Sequence, residues 1–119
     1  MSKEKPPKSL SEAELAHLAG RFKLLGEPMR LKILQAVCHE PRTVTAIVEA
    51  TGSTQANVSK HLALLASAGI LERRKEGQRV YYGAKDRLVL EVCERVRAQM
   101  ADDRSRRPPP AARRGSRPV

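Results

Sequence analysis

Along the chain, apolar residues recur first at helical spacing, in four blocks, then in a brief extended pattern, and then at helical spacing again. Leu15, Leu18, Ala19, Phe22 and Leu25 fall three and four apart and predict a first helix. Ser9 with Glu12 and Ser11 with Glu14 each have capping-box spacing, so that helix starts near one of these serines. Gly26 predicts a left-handed end, and Pro28 opens a second helix where a missing amide costs nothing. The second helix reaches about Cys38, with Leu31, Leu34, Val37 and Cys38 on one face, and Pro41 follows it. Thr43 caps a short third helix carrying Val44, Ile47, Val48 and Thr51, which Gly52 closes. Ser53 or Thr54 caps a fourth, running to about Ala68, with Val58, Leu62 and Leu65 inward and Gly69 as its stop.

After Ile70 the period changes. Residues 71–75 and 79–83 flank a polar turn, Glu76-Gly77-Gln78, of hairpin length. Asp86 then starts a fifth helix, whose stripe is Val89, Val92, Cys93, Val96 and Met100. Two short helices joined by a tight Gly-Ser-Thr turn predict a helix-turn-helix, and a basic hairpin directly after it predicts the winged variant. The fold class is therefore mostly α with a small β-hairpin: a winged helix-turn-helix of five helices and a two-stranded wing. The first and last helices each carry an apolar face, and a domain of this size has little core in which to bury both. Pairing of those faces with a second copy predicts a homodimer through the first and fifth helices.

Composition changes this picture in one respect. The chain of 119 residues holds 23 Lys and Arg against 13 Asp and Glu, a net charge of +10, which points to a polyanionic partner. Over half of that excess lies at the ends. Residues 1–9 form a polar segment read as disordered, and residues 102–119 a flexible Pro/Arg-rich basic tail, leaving residues 10–101 as the folded domain. Two cysteines are too few for a disulfide framework, the amino end has no secretory pattern, and no apolar run is long enough to span a membrane. A cytoplasmic protein with no membrane partner is the expectation.

A helix that reads DNA presents short polar side chains from its first turns into the major groove. The fourth helix offers Thr54, Gln55, Ala56, Asn57, Ser59, Lys60 and His61 between its inward apolar positions. Gln and Asn pair with adenine edges, Ser and Thr serve bases or phosphates, and Lys60 serves phosphate or guanine. The hairpin adds Arg73, Arg74, Lys75 and Arg79, suited to phosphates or to the minor groove. Each feature alone also describes an ordinary solvated surface; their succession is what points to double-stranded DNA. A two-fold dimer would set its recognition helices roughly 34–36 Å apart, so the operator is expected to be palindromic.

Residues 20–100 resemble the ArsR/SmtB-type repressors, through LLGEPMRLKIL (24–34), TGSTQANVSKHLALLASAGIL (51–71) and RRKEGQRVYY (73–82). The resemblance implies small dimeric winged-helix proteins of bacteria that often sense metals and that leave their operator when an effector binds. It also implies DNA contacts from Gln55, Ala56, Ser59, Lys60 and His61, with Arg79 and its neighbours in the wing. The family's thiolate box on the third helix corresponds to residues 42–48, which contain no cysteine, and its fifth-helix site needs histidines where this helix has only Asp86, Glu91 and Glu94. The chain departs from both metal patterns, so no metal and no cofactor is assigned. Some relatives carry one cysteine on the second helix and one on the fifth that link or persulfidate on oxidation. Cys38 and Cys93 allow such a redox switch, packing into the core, or, with His39, a metalloid site.

Other function classes fit less well. A non-specific nucleic-acid or RNA-binding module driven by the wing and tail would use aromatic stacking platforms, and the chain offers only Phe22, Tyr81 and Tyr82. An enzyme would need a phosphate loop, an activated nucleophile or a metal cluster, none of which the sequence contains. A winged helix that binds only protein would not need so polar a fourth helix beside a basic hairpin.

Overall fold

The computed structural model describes residues 9–106, so the segments 1–8 and 107–119 lie outside the described residues. Helix α1 (Glu12–Leu25) begins at Ser11, whose Oγ accepts the Glu14 amide at 3.1 Å while the Glu14 carboxylate accepts the Ser11 amide at 2.9 Å. This reciprocal cap selects the second of the two candidate serines. Gly26 does not take the expected left-handed conformation: it sits at φ −83°, ψ 44°, its amide donating to Lys23 O at 3.2 Å. The next residue explains why. Glu27 precedes a proline and is extended (φ −138°, ψ 125°), so the chain leaves α1 through a single tight bond and straightens at once into α2 (Pro28–Val37).

In α2 the buried residues are Ile33, Leu34 and Val37, while Leu31 stays 42% exposed. The helix is thus rotated from the face expected for it, with Arg30 lying one turn before Ile33 and Leu34 on the inward side. A two-residue strand, β1 (Arg42–Thr43), precedes α3 (Val44–Thr51), which Thr43 caps by accepting the Ala46 amide at 3.2 Å. Gly52 turns the chain in the left-handed region (φ 74°), where a side chain would be strained, and so closes the helix-turn-helix corner. Thr54 then caps α4 (Gln55–Ser67), its Oγ1 accepting the Asn57 amide at 3.1 Å.

Strands β2 (Leu71–Glu76) and β3 (Arg79–Ala84) form the antiparallel hairpin, with Glu76 opposite Arg79 around Gly77-Gln78. Gly77 at φ 67°, followed by a residue of negative φ, suits a two-residue hairpin loop with glycine first. Strand β1 pairs with β3, giving a three-stranded sheet of order β1-β3-β2 in place of the two-stranded wing alone. Two residues between Pro41 and Val44 are too few to show any alternation, and their partners Tyr82 and Tyr81 lie far along the chain.

Asp86 accepts the Val89 amide through Oδ1 at 3.2 Å and starts α5 (Arg87–Arg106). The helix overruns the domain boundary expected at residue 101: Gln99 donates to Asp103 and Arg106 pairs with Asp102 at 3.1 Å, so one further turn is helical. The core collects Ile33, Leu34, Val37, Ile47, Val58, Leu62, Leu65, Ile70, Leu71 and Val89, from α2, α3, α4, the base of the wing and the first turn of α5. Each fully buried aliphatic side chain there stabilises by about 1.5–3 kcal/mol. Helix α1 contributes no buried residue.

Candidate nucleic-acid interface

The core dictates what α4 can show to solvent. Val58, His61, Leu62 and Leu65 point inward and are buried, leaving the opposite side to Gln55, Ala56, Ser59, Lys60 and Ala63. Thr54, Gln55, Ala56, Ser59 and Lys60 are exposed, as a groove-reading face requires. Asn57 is half-buried and its amide donates to Ser53 Oγ at 2.9 Å, so it braces the turn rather than standing free. Ala63 continues the outward face by one turn and was not singled out from the sequence, since alanine carries no polar signal.

His61 is a correction. It lies only 4% exposed, turned into the protein, and does not belong to the DNA-facing set. The reason is helical phase: three residues after Val58 and four before Leu65, it falls on the apolar face. Its Nδ1 accepts the Arg30 Nε hydrogen at 3.0 Å, which places the imidazole proton on Nε2 in the neutral ring. Glu27 Oε1 stands 3.2 Å from Arg30 Nε and 3.6 Å from His61 Nδ1 and is buried with no hydrogen-bond partner of its own. Arg30 carries no motif that marks it as a bridge between helices. Its place in the inward register of Ile33 and Leu34 was the available signal.

The wing divides its charges by strand alternation. Arg73 and Lys75 share a face with Leu71, Tyr82 and Val80, the face that reaches the core at the hairpin base. Arg74 and Arg79 share the other with Glu72 and Glu76. Arg74 Nε lies 3.3 Å from Glu76 Oε2, so its charge is already partly met. Among the described residues, the four basic residues thus fall into a pair without a carboxylate partner, Arg73 and Lys75, and a pair beside carboxylates, Arg74 and Arg79.

Cys38 and Cys93 are both free and half-buried. The Cys38 thiol donates to Gln35 O at 3.2 Å at the end of α2, and Cys93 packs beside the core. Burial pushes the Cys93 thiol above its ordinary value, a setting that disfavours the thiolate an oxidation switch uses. Among the described residues, no three His, Cys, Asp or Glu side chains of the single chain gather where they could hold a metal ion. No helix among them is long and apolar enough to cross a membrane.

Comparison with known proteins bears on the same elements. A helix-turn-helix domain family matches residues 25–74. The probable mercury resistance operon repressor of Streptomyces lividans is 34% identical over 82 residues, 69% of this chain and 66% of that protein. The cadmium resistance transcriptional regulatory protein CadC of Listeria innocua is 33% identical over 86 residues, 71% of this chain and 72% of that one. The chain belongs to the ArsR/SmtB family of winged helix-turn-helix transcriptional regulators. Among solved structures it is similar to the homodimeric winged helix-turn-helix DNA-binding domain of a possible ArsR-family regulator of Mycobacterium bovis, with 33% identity, a TM-score of 0.65, and 84% of this chain and 92% of that one covered. In this ArsR/SmtB member the matched residues 25–74 run from the end of α1 through α4 into the wing, so they contain the whole outward face of α4.

Proposed function

We propose that this ArsR/SmtB protein is a cytoplasmic, dimeric repressor that recognises a palindromic DNA operator, reading bases with Thr54, Gln55, Ala56, Ser59 and Lys60 and gripping phosphates with Arg73, Lys75 and Arg79. The observation that carries the reading is the two-sided character of α4: its back is sealed in the core, and its front is small, polar and exposed from its first turn. Dimerisation through α1 and α5 is supported by their apolar residues, with Leu15 49%, Phe22 58%, Val96 54% and Met100 54% exposed in the single chain. A second copy related by two-fold symmetry covers such faces and spaces two copies of α4 for one palindrome.

The deciding experiment selects DNA bound by the full chain from a random pool, then compares the selected palindrome with a scrambled duplex at two salt concentrations. A preference of roughly 10³-fold or more is expected, with Gln55→Ala relaxing it at single base positions by about 1–3 kcal/mol. Equal affinity for both duplexes, with a steep salt slope, would instead mark a non-specific binder. Against that alternative, Tyr81 and Tyr82 are half-buried in the sheet and Phe22 lies on α1, so no aromatic platform accompanies the basic wing. The thiols are the groups proposed to receive a releasing signal: Cys38 at the end of α2 first, and Cys93, whose burial disfavours its thiolate, second. Operator binding with and without polysulfide, on wild type and Cys38→Ser, tests that role.

A further inference from the structure

Helix α1 has no fully buried side chain and packs on the core only through half-buried Leu24 and Leu25, but two arginines, its own Arg21 and Arg30 of α2, tie it to α4 at two separate places. At one, Arg21 Nη1 donates to Ala68 O, the carbonyl that ends α4, at 3.1 Å, while its Nη2 donates to Asp86 Oδ2 at 2.8 Å. The other oxygen of Asp86 caps α5, and Ile70 O accepts the amides of both Lys85 and Asp86. The end of the recognition helix, the base of the wing and the start of α5 therefore meet at one corner, on a guanidinium that α1 supplies. At the second place, Arg30 Nη1 donates to Leu24 O in the last turn of α1 at 3.0 Å, and the same guanidinium's Nε donates to buried His61 in the middle of α4.

From His61 to Ala68 is seven residues, about 10 Å along a helix axis. Two attachments that far apart fix tilt as well as position, which one could not. Both are partly buried, and both use the planar fork of arginine to bridge two acceptors at once, which the single ammonium of lysine does not reproduce. Neither residue lies on the outward face of α4.

We propose that Arg21 and Arg30 are positioning residues that transmit the placement of α1, and with it the two-fold mate, to the recognition helix, and so set which half-site spacing the dimer accepts. This rests on α4 reading DNA within a dimer built on α1. Loss of either attachment leaves α4 folded on its core but free to tilt relative to the mate. The dimer then tolerates half-sites that are wrongly spaced.

The test uses the full chain as wild type, Arg21→Met, Arg30→Met and Arg21→Lys, with dimerisation followed by sedimentation. Each is titrated with the selected palindrome, with the same palindrome lengthened by one base pair between half-sites, and with scrambled duplex. Wild type is expected to prefer the native spacing. The Met variants should remain dimeric, bind scrambled duplex as wild type does, and lose between about twofold and thirtyfold of that spacing preference, with Arg21→Lys failing to restore it. Should a Met variant not fold, Asp86→Asn keeps an oxygen for the Val89 amide, removes the charge that holds Arg21, and must shift the preference in the same direction. Unchanged preference in folded variants, or an equal loss on all three duplexes, overturns the inference alone. A wild type with no spacing preference overturns it together with the DNA reading.

Discussion

Helices α4 and α5 carry apolar residues at the same spacing and meet opposite fates. Val58, Leu62 and Leu65 of α4 are completely buried, whereas Val92, Val96 and Met100 of α5 are 39%, 54% and 54% exposed. Helix α4 is enclosed by α2, α3 and the base of the wing, so its stripe is finished within one chain. Only the first turns of α5 dock, through Val89, Leu90 and Cys93, and the rest of the helix extends past the domain. Helix α1 also leaves most of its stripe open: Leu15, Leu18 and Phe22 are exposed, only Leu24 and Leu25 of its last turn pack against the core, and Arg21 and Arg30 add hydrogen bonds to that packing. A helical apolar period thus tells which side of a helix wants cover, while the supplier of that cover depends on what the rest of the chain can reach.

The sharpest way to break this contrast is to cut into each stripe. Leu62→Ala in α4 should cost about 2–5 kcal/mol, a large share of the 5–15 kcal/mol that holds a typical domain, measured by urea denaturation. A loss under about 1 kcal/mol would mean that α4 is not packed as described. Val96→Glu in α5 should instead leave the circular dichroism of the fold intact and weaken self-association on the order of 100-fold or more, because the interface would bury an unpaired carboxylate. Sedimentation that still shows a dimer would remove α5 from the interface.

The wing offers a finer contrast. Arg73→Ala should weaken binding to all duplexes alike and reduce the salt slope by about one. Arg74→Ala should do so less, because Glu76 already meets its charge. Equal effects would show that the Arg74–Glu76 pair opens on DNA. The smallest expected effect concerns the thiols. Burial raises the Cys93 pKa, so less thiolate is present at pH 8, and iodoacetamide should label Cys38 before Cys93, the lag narrowing as pH rises toward 10. Faster labelling of Cys93 would overturn its placement beside the core.

Local rules made much of this molecule legible in its sequence. The capping serine and threonines, the glycine turns and the extended run after Ile70 are decided by a few neighbouring residues, and the elements follow them. The outward face of α4 was legible for the same reason, since it is whatever Val58, Leu62 and Leu65 leave over. Residues whose role depends on a distant partner were not. Strand β1 exists because of its pairing with Tyr81 and Tyr82, Arg30 finds its partners in Leu24 O and His61, and α2 turns Ile33 rather than Leu31 to the core.

From its sequence alone this chain determined its helices, its hairpin and the polar front of its recognition helix, all consequences of spacing and short-range caps. Tertiary structure alone decided which apolar stripes are sealed and which lie open, that β1 joins the wing, and that Arg21 and Arg30 bind α1 to α4. Those outcomes rest on contacts between residues far apart along the chain, and a periodic pattern holds no record of the partner that completes it.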